Sequence, residues 1–551
     1  MNTLKKIKKI IVCIMTLLLL LTSLSACKVE STTESSDSAS KSASTQKDAD
    51  TEIENFNATG FPIVNKPITI VVAGPRNPLT KTWEGMNLFE HFTKLTGIHF
   101  EFEDHASDVW QEKKALYFAS GDLPDLIAGG SFSASELLDY GSQGQLIALN
   151  DLIEKYGPNI KTAFSEVPDA KAMSTSSDGN IYGLPLINQM PRDMHVRYWI
   201  SKPWLAQVGM EVPTTLDEFY QVLVAFKEED ANANGDPDDE IPVSGYSGGT
   251  VDGLILNALG VNVRGGSGGF AITATFDGTV YCMNTSEAYK EYLKFMHKLY
   301  KEKLLDNDLF VQTLEQFNAK GHENKLGVFT SAASYMTCGN DIGWEYTQFD
   351  ALTSHMNSRK MVSASTGVSI GQAVITSANK YPEATLRLLD YCFSEEGSRV
   401  CRNGEEGVGW GWVDKEAGTW ENYTPEGYAN SQEWRAQVTM GIASWYRVDY
   451  QLGQVSYNAQ WLNEMTDKYS YPYFVMQFPS LNLTEEDVEI TTPIINDVTT
   501  YVAESRARFI TGEDDIEQKW DDYVNNIEKM NIKTVVEIYQ RYYDQYLKAM
   551  K

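Results

Sequence analysis

The densest run of oxygen-bearing side chains is Asp230-Ala231-Asn232-Ala233-Asn234-Gly235-Asp236-Pro237-Asp238-Asp239-Glu240. A carboxylate or amide recurs at every second position until the glycine interrupts. A hard cation such as Ca²⁺ takes about six to eight oxygens, and a tight loop with ligands at alternate positions supplies them. Gly235 falls at the sixth position, where an EF-hand loop turns sharply. The twelfth position, which in an EF-hand carries a bidentate Glu, is Ile241, and the acids Asp238, Asp239 and Glu240 come early. The pattern predicts a structural Ca²⁺ loop with its own closure. The blander reading is a solvated acidic turn, because Asn-Gly and Asp-Pro form turns unaided.

A second chemistry is stacking. Trp344, Trp410, Trp412, Trp420, Trp434, Trp445 and Trp461 crowd the later part of the chain, and glycines flank both indoles in Gly407-Val408-Gly409-Trp410-Gly411-Trp412. Sugar rings present apolar C–H faces to aromatic planes, and their hydroxyls need placed hydrogen-bond partners. Trp344, Trp410, Trp412 and Trp445 are the candidate platforms, with core packing as the competing role. Catalysis finds little support. The seven histidines form no His-Glu-x-x-His arrangement, and no Gly-x-Ser-x-Gly elbow or phosphate loop occurs. Paired carboxylates could serve a glycosidase, but among 75 acids nothing singles out two. His195 and Arg197 read as a surface or hinge pair.

The first 26 residues read as an address. Lys5, Lys6, Lys8 and Lys9 precede an apolar run from Ile10 to Leu21, then Leu24-Ser25-Ala26-Cys27. The run is too short for a mature membrane span. The order resembles the lipobox of bacterial lipoproteins, which implies cleavage and acylation, for example by palmitate, at Cys27. Residues 27–60 then read as the lipidated cysteine and a Ser/Thr-rich flexible tether. Without the address, 42 basic residues face 75 acidic ones, a balance of −33. Such a surface argues against nucleic acid and against direct docking on anionic lipid. Cys282, Cys338, Cys392 and Cys401 show no zinc spacing and leave two disulfides or four free thiols equally open.

The elements that must position these groups begin as an α/β domain. Ile68–Ala73 is a β-branched run, Leu88, Phe89, Phe92 and Leu95 repeat helically before Gly97, and Ile98–Phe102 alternates as a strand. A helix over 110–118 and a strand through Leu126 to Ala128 follow. Strand–helix–strand repetition predicts a parallel sheet with ligands at strand C-terminal ends, which nominates Arg76 and Asp125 as polar contacts. Thr215 caps a helix whose first turn holds Asp217 and Glu218 and which runs into the Asp230 loop.

Gly121-Asp122-Leu123-Pro124-Asp125, Gly144-Gln145-Leu146-Ile147-Ala148-Leu149 and Asp178-Gly179-Asn180-Ile181-Tyr182-Gly183-Leu184-Pro185 occur in that order. Pro213 to Phe219, Glu240-Ile241-Pro242, Tyr381-Pro382-Glu383-Ala384 and Phe509-Ile510-Thr511-Gly512 extend the series. This order resembles the bacterial extracellular solute-binding proteins related to maltose-binding protein, in particular the lipid-anchored oligosaccharide-binding subgroup of Gram-positive bacteria that includes relatives of alginate-binding proteins. The resemblance implies an α/β, two-lobed periplasmic-binding-protein-like fold with inter-lobe hinge crossings and a ligand cleft. The expected lobes are 61–187 with about 365–408, and 188–364 with about 409–551. It implies that Asp230, Asn232 and Asn234 ligate structural Ca²⁺ with side chains, Asp236 with its carbonyl, and Asp239 and Glu240 as the closing acids, with Asp238 and Asp239 competing for one position. It further implies a monomeric, non-enzymatic receptor on the outer face of the cell membrane, handing an oligosaccharide to ABC transporter permease subunits. An anchored glycan-active enzyme and a receptor for a non-sugar solute or a signalling system are the alternatives.

Overall fold

The computed structural model describes residues 53–246, 250–263, 268–428 and 430–550. Cys27 and most of the expected tether lie outside the described residues. Two sheets carry the architecture. The first has the order 444–446, 184–188, 368–375, 126–128, 68–76, 98–106. Its strand Ile68–Arg76 pairs in parallel with Ile98–Ala106 and Leu126–Ala128, as the strand–helix repetition predicts. The helix Asn87–Thr96 between them buries Leu88, Phe89 and Phe92 and ends at Gly97, whose φ of 80° closes the last turn. Val368–Ile375 runs antiparallel between its neighbours and bulges between Ser369 and Ala373. Gly371 makes the bulge feasible: its φ is +63°, and a Cβ there would stand 2.5 Å from the Phe132 carbonyl oxygen.

The second sheet has the order 346–348, 198–201, 326–330, 241–243. Each sheet anchors its own core. Ile70, Val72, Leu184, Ile375 and Leu389 fill the first. Trp204, Phe219, Phe226 and Leu293 fill the second, together with Val498, Phe509, Trp520 and Val535 from the C-terminal helices. The chain passes between sheets three times, after Asn188, after Gln348 and after Tyr446. Backbone bonds lace the passages together: Ser365 N–H donates to Met194 O at 2.7 Å, and Gln477 N–H to Ala364 O at 2.8 Å.

Two boundaries differ from the expected ones. Residues 54–60 belong to the folded body, because the Arg387 guanidinium donates to the carbonyls of Asn57 (2.5 Å) and Gly60 (3.0 Å). The strand Ser444–Tyr446, expected in the second lobe, pairs in parallel with Leu184–Asn188 of the first sheet. Ile442, Ala443, Trp445 and Tyr446 are buried in that sheet's core, so the short apolar run is an edge strand and the chain crosses only after it.

Candidate functional site

Two adjoining cavities, of about 340 and 420 Å³, lie between the sheets and share Arg402, Gln432 and Arg435. Pro75 and Asn77, at the C-terminal end of Ile68–Arg76, and Gly129, after Leu126–Ala128, line the side toward the first sheet. Ala332, Ala333 and Tyr335 follow the strand Leu326–Thr330 and line the opposite side. The first passage contributes Arg192, Asp193 and Arg197, and the third contributes Gln454 and Asn458. The site therefore draws on both sheets and on two of the passages, an arrangement in which one ligand can touch both sheets at once.

Its electrostatics centre on Asp193. The carboxylate accepts from Arg402 at 3.0 Å and from the Asn188 amide at 3.1 Å, and Arg197 stands 3.6 Å away. Burial pushes this carboxyl up, but the guanidiniums of Arg402, Arg192 and Arg197 outweigh it and hold it well below the usual carboxylate range. Arg192 is buried and donates to Gln454 Oε1 (3.1 Å), Asn463 Oδ1 (3.3 Å) and the Ala459 carbonyl (3.4 Å). Arg197 donates to the Ala332 carbonyl at 2.7 Å. The Arg402 guanidinium also lies over the Tyr446 ring, 4.9 Å from its centroid. Aromatics stand behind the cleft wall: Tyr335 stacks on Trp344 at 4.3 Å, and Trp344 meets Trp461 edge-on.

The residues nominated from the sequence scatter. Arg76 ends its strand but pairs with Asp104 at 3.1 Å and with the Lys81 carbonyl, while its neighbours Pro75 and Asn77 line the cleft. Asp125 precedes its strand and so sits at the end opposite the cleft, where its carboxylate accepts from the Val71 N–H at 2.8 Å. Trp344 reaches the cleft only through Tyr335. Trp445 is 3% exposed, its indole N–H donating to Gln189 Oε1 at 3.0 Å. Trp410 is 5% exposed and donates to the Gly404 carbonyl at 3.1 Å. With Trp412 it borders a separate cavity of about 880 Å³ that shares no residue with the cleft. His195 is buried against Asp350 at 3.3 Å, and Arg197 faces Asp193. Sequence reasoning missed Arg192, Arg402 and Arg435. The run Pro191-Arg192-Asp193 held a signal, a charged pair inside a passage between lobes.

The Asp230 loop follows the helix Leu216–Glu228, which Thr215 and Glu218 cap reciprocally. Asp230 accepts from the N–H groups of Asn234 and Gly235 at 3.0 and 2.9 Å, which needs the φ of 89° at Gly235. The amides of Asn232 and Asn234 face Asp239, at 2.8 and 3.1 Å. Asp238 is exposed, so Asp239 is the acid turned inward. Glu240 Oε2 is buried with no hydrogen-bond partner. Burial raises the Glu240 pKa, and the charges of Asp239 and Asp230 add to the rise. A crowded set of oxygens with one orphan buried carboxylate oxygen fits a cation. Among the described residues no three His, Cys, Asp or Glu side chains alone form a metal group; this loop mixes acids with amides. The four described cysteines are buried and unbridged.

Residues 80–398 match the family model described as bacterial extracellular solute-binding protein. The fructooligosaccharide ABC transporter substrate-binding protein FusA of Streptococcus pneumoniae is 31% identical over 498 residues, 86% of this chain and 88% of FusA. The structure of FusA with kestose superposes with a TM-score of 0.76 at 29% identity, covering 88% of this chain and 100% of that one; an EF-hand mutant of FusA gives the same values. The alginate-binding protein AlgQ2, solved without calcium ion, shares the fold at a TM-score of 0.69 and 24% identity, over 89% of this chain and 100% of that one.

Proposed function

The chain belongs to the bacterial extracellular solute-binding protein family, and from that premise we propose that it captures an oligosaccharide and delivers it to an ABC importer. The observation that carries this reading is the cleft: polar and guanidinium side chains from both sheets and two passages converge on one space, with aromatics behind its wall. Delivery requires no bond to be made or broken by this chain. It requires ligand contacts on both lobes that favour a closed form over an open one. The lobes take the sheets as their centres, with the Asp193–Arg402 pair tying the first passage to the first lobe.

Lipid on Cys27 would hold the body at the outer face of the membrane as a monomer. No helix among the described residues is long and apolar enough to cross a membrane; two acyl chains would suffice for stable attachment. Calcium would be held by Asp230, Asn232, Asn234, the Asp236 carbonyl, Asp239 and Glu240, and would neutralise the crowded acids where a helix end meets the strand Ile241–Val243.

The deciding experiment incubates the purified protein with fructan, uronan and N-glycan oligosaccharide pools and follows both melting temperature and product release. A ligand that binds only the native state raises melting, whereas an enzyme leaves shortened sugars. A melting shift without product is expected. Product formation, or no shift with any pool, would overturn the reading.

A further inference from the structure

Resting on the oligosaccharide reading, we infer that the cleft selects a sugar carrying an anionic substituent, with Arg435 as the residue that meets it. Among the described residues lining the two cavities there are four arginines and one carboxylate, Asp193, with no lysine and no glutamate. The excess positive charge stands inside a protein whose overall balance is strongly negative, so the cleft inverts the sign of the surface around it. Three of the four guanidiniums are committed. Arg402 and Arg197 face Asp193, and Arg192 donates to Gln454 and Asn463.

Arg435 is different. It is half-buried, it lines both cavities, and among the described residues no hydrogen bond or ion pair involves its guanidinium. Burial and the nearby Arg402 push its pKa down to about 10, although Tyr446 and Asp193 pull the other way, so the cations crowding it outweigh the one carboxylate nearby. A partly desolvated guanidinium without an anion costs stability in the empty protein. A planar fork of donors beside open space is the receptor that a carboxylate or an acidic ester fills in a bidentate manner. Hydroxyls alone would satisfy its N–H groups but leave its charge uncompensated. The carboxylate of a uronic acid and the sulfate or phosphate of an esterified sugar share this chemistry.

The test uses the whole mature chain and four named sugars: trigalacturonate, its fully methyl-esterified form, a sulfated heparin-derived disaccharide, and kestose as the neutral arm. At least one of the two acidic sugars should bind, and trigalacturonate should lose about 30-fold or more on esterification, the low end for removing one member of a desolvated charge pair. The two acidic arms tell carboxylate from sulfate. Arg435→Gln should erase most of the preference for acid while raising the melting temperature of the ligand-free protein, an outcome opposite to that of a merely structural arginine. If kestose binds and neither acidic sugar does, the ligand is neutral and this inference is wrong while the oligosaccharide reading stands. If none of the four sugars binds, this inference fails, and the fructan, uronan and N-glycan pools decide the oligosaccharide reading. A drop in ligand-free melting with Arg435→Gln would also overturn it.

Discussion

Replacing Asp193 by Asn tests whether one carboxylate joins the passage to the first core. Removing one partner of a buried ion pair costs about 3–5 kcal/mol, and of a surface pair about 0–1 kcal/mol. The Asp193 side chain is 26% exposed and that of Arg402 19%. The pair thus lies nearer the buried limit, but Asn keeps one acceptor, so about 2–3 kcal/mol is expected. The body from Glu54 to Lys551 spans roughly 500 residues, and unfolding entropy per residue then sums to about 1 kcal/mol/K. Melting should fall by about 2–3 °C if the body unfolds as one unit, and by about twice that if one lobe melts alone. The sign of the pH dependence is fixed. A carboxyl whose folded pKa lies below its unfolded value stabilises the fold fully above the unfolded value, about 3.9, and less as pH falls toward the folded one. Calorimetry of both proteins should therefore give a constant gap from about pH 7 to about pH 5, narrowing below about pH 4 by up to about 1.4 kcal/mol per pH unit. An absent gap at neutral pH, or one that widens in acid, would refute the role assigned to Asp193.

Chelation of calcium should lower the melting temperature of the wild type, and Asp230→Ala should abolish that response; calorimetry with and without chelator in a metal-free preparation checks both. Trp445→Ala should lower ligand-free stability by about 3–5 kcal/mol, read by denaturant unfolding, because its indole fills the first core and leaves a cavity. Cys27→Ser should release the protein into the medium or leave the leader uncleaved; an unmodified Cys27 in the mature wild-type protein, by mass spectrometry, would remove the anchor.

The first sheet was legible because its signals are local. Ile68–Ala73 and Ile98–Phe102 carry the strand pattern, and Gly97 stops the helix between them. The edge strand at 444–446 was not, because three residues show no periodicity and parallel pairing with Leu184–Asn188 is decided far along the chain. The turn at Asp230 could be read because its acids and amides share one short stretch. The cleft could not: Arg192, Arg402 and Arg435 come from three distant segments. The tryptophans do not line the cleft, and for one of them the physical reason is plain. Glycine neighbours suggest exposed rings, yet Trp410 turns its indole N–H onto the Gly404 carbonyl and is covered.

The threefold passage between sheets also governs the order in which this polypeptide can acquire structure. As the chain emerges from its N-terminus, the first core lacks Ile375 and Leu389 until late and Trp445 until later still. The second core lacks Phe509, Trp520 and Val535 until nearly the last turn is made. Contacts that far apart in sequence make closure slow, and a nascent chain that lacks the late members of both cores can complete neither. Such interleaving keeps a growing chain threadable, which is the state a protein needs if it must pass through a narrow membrane channel before it folds.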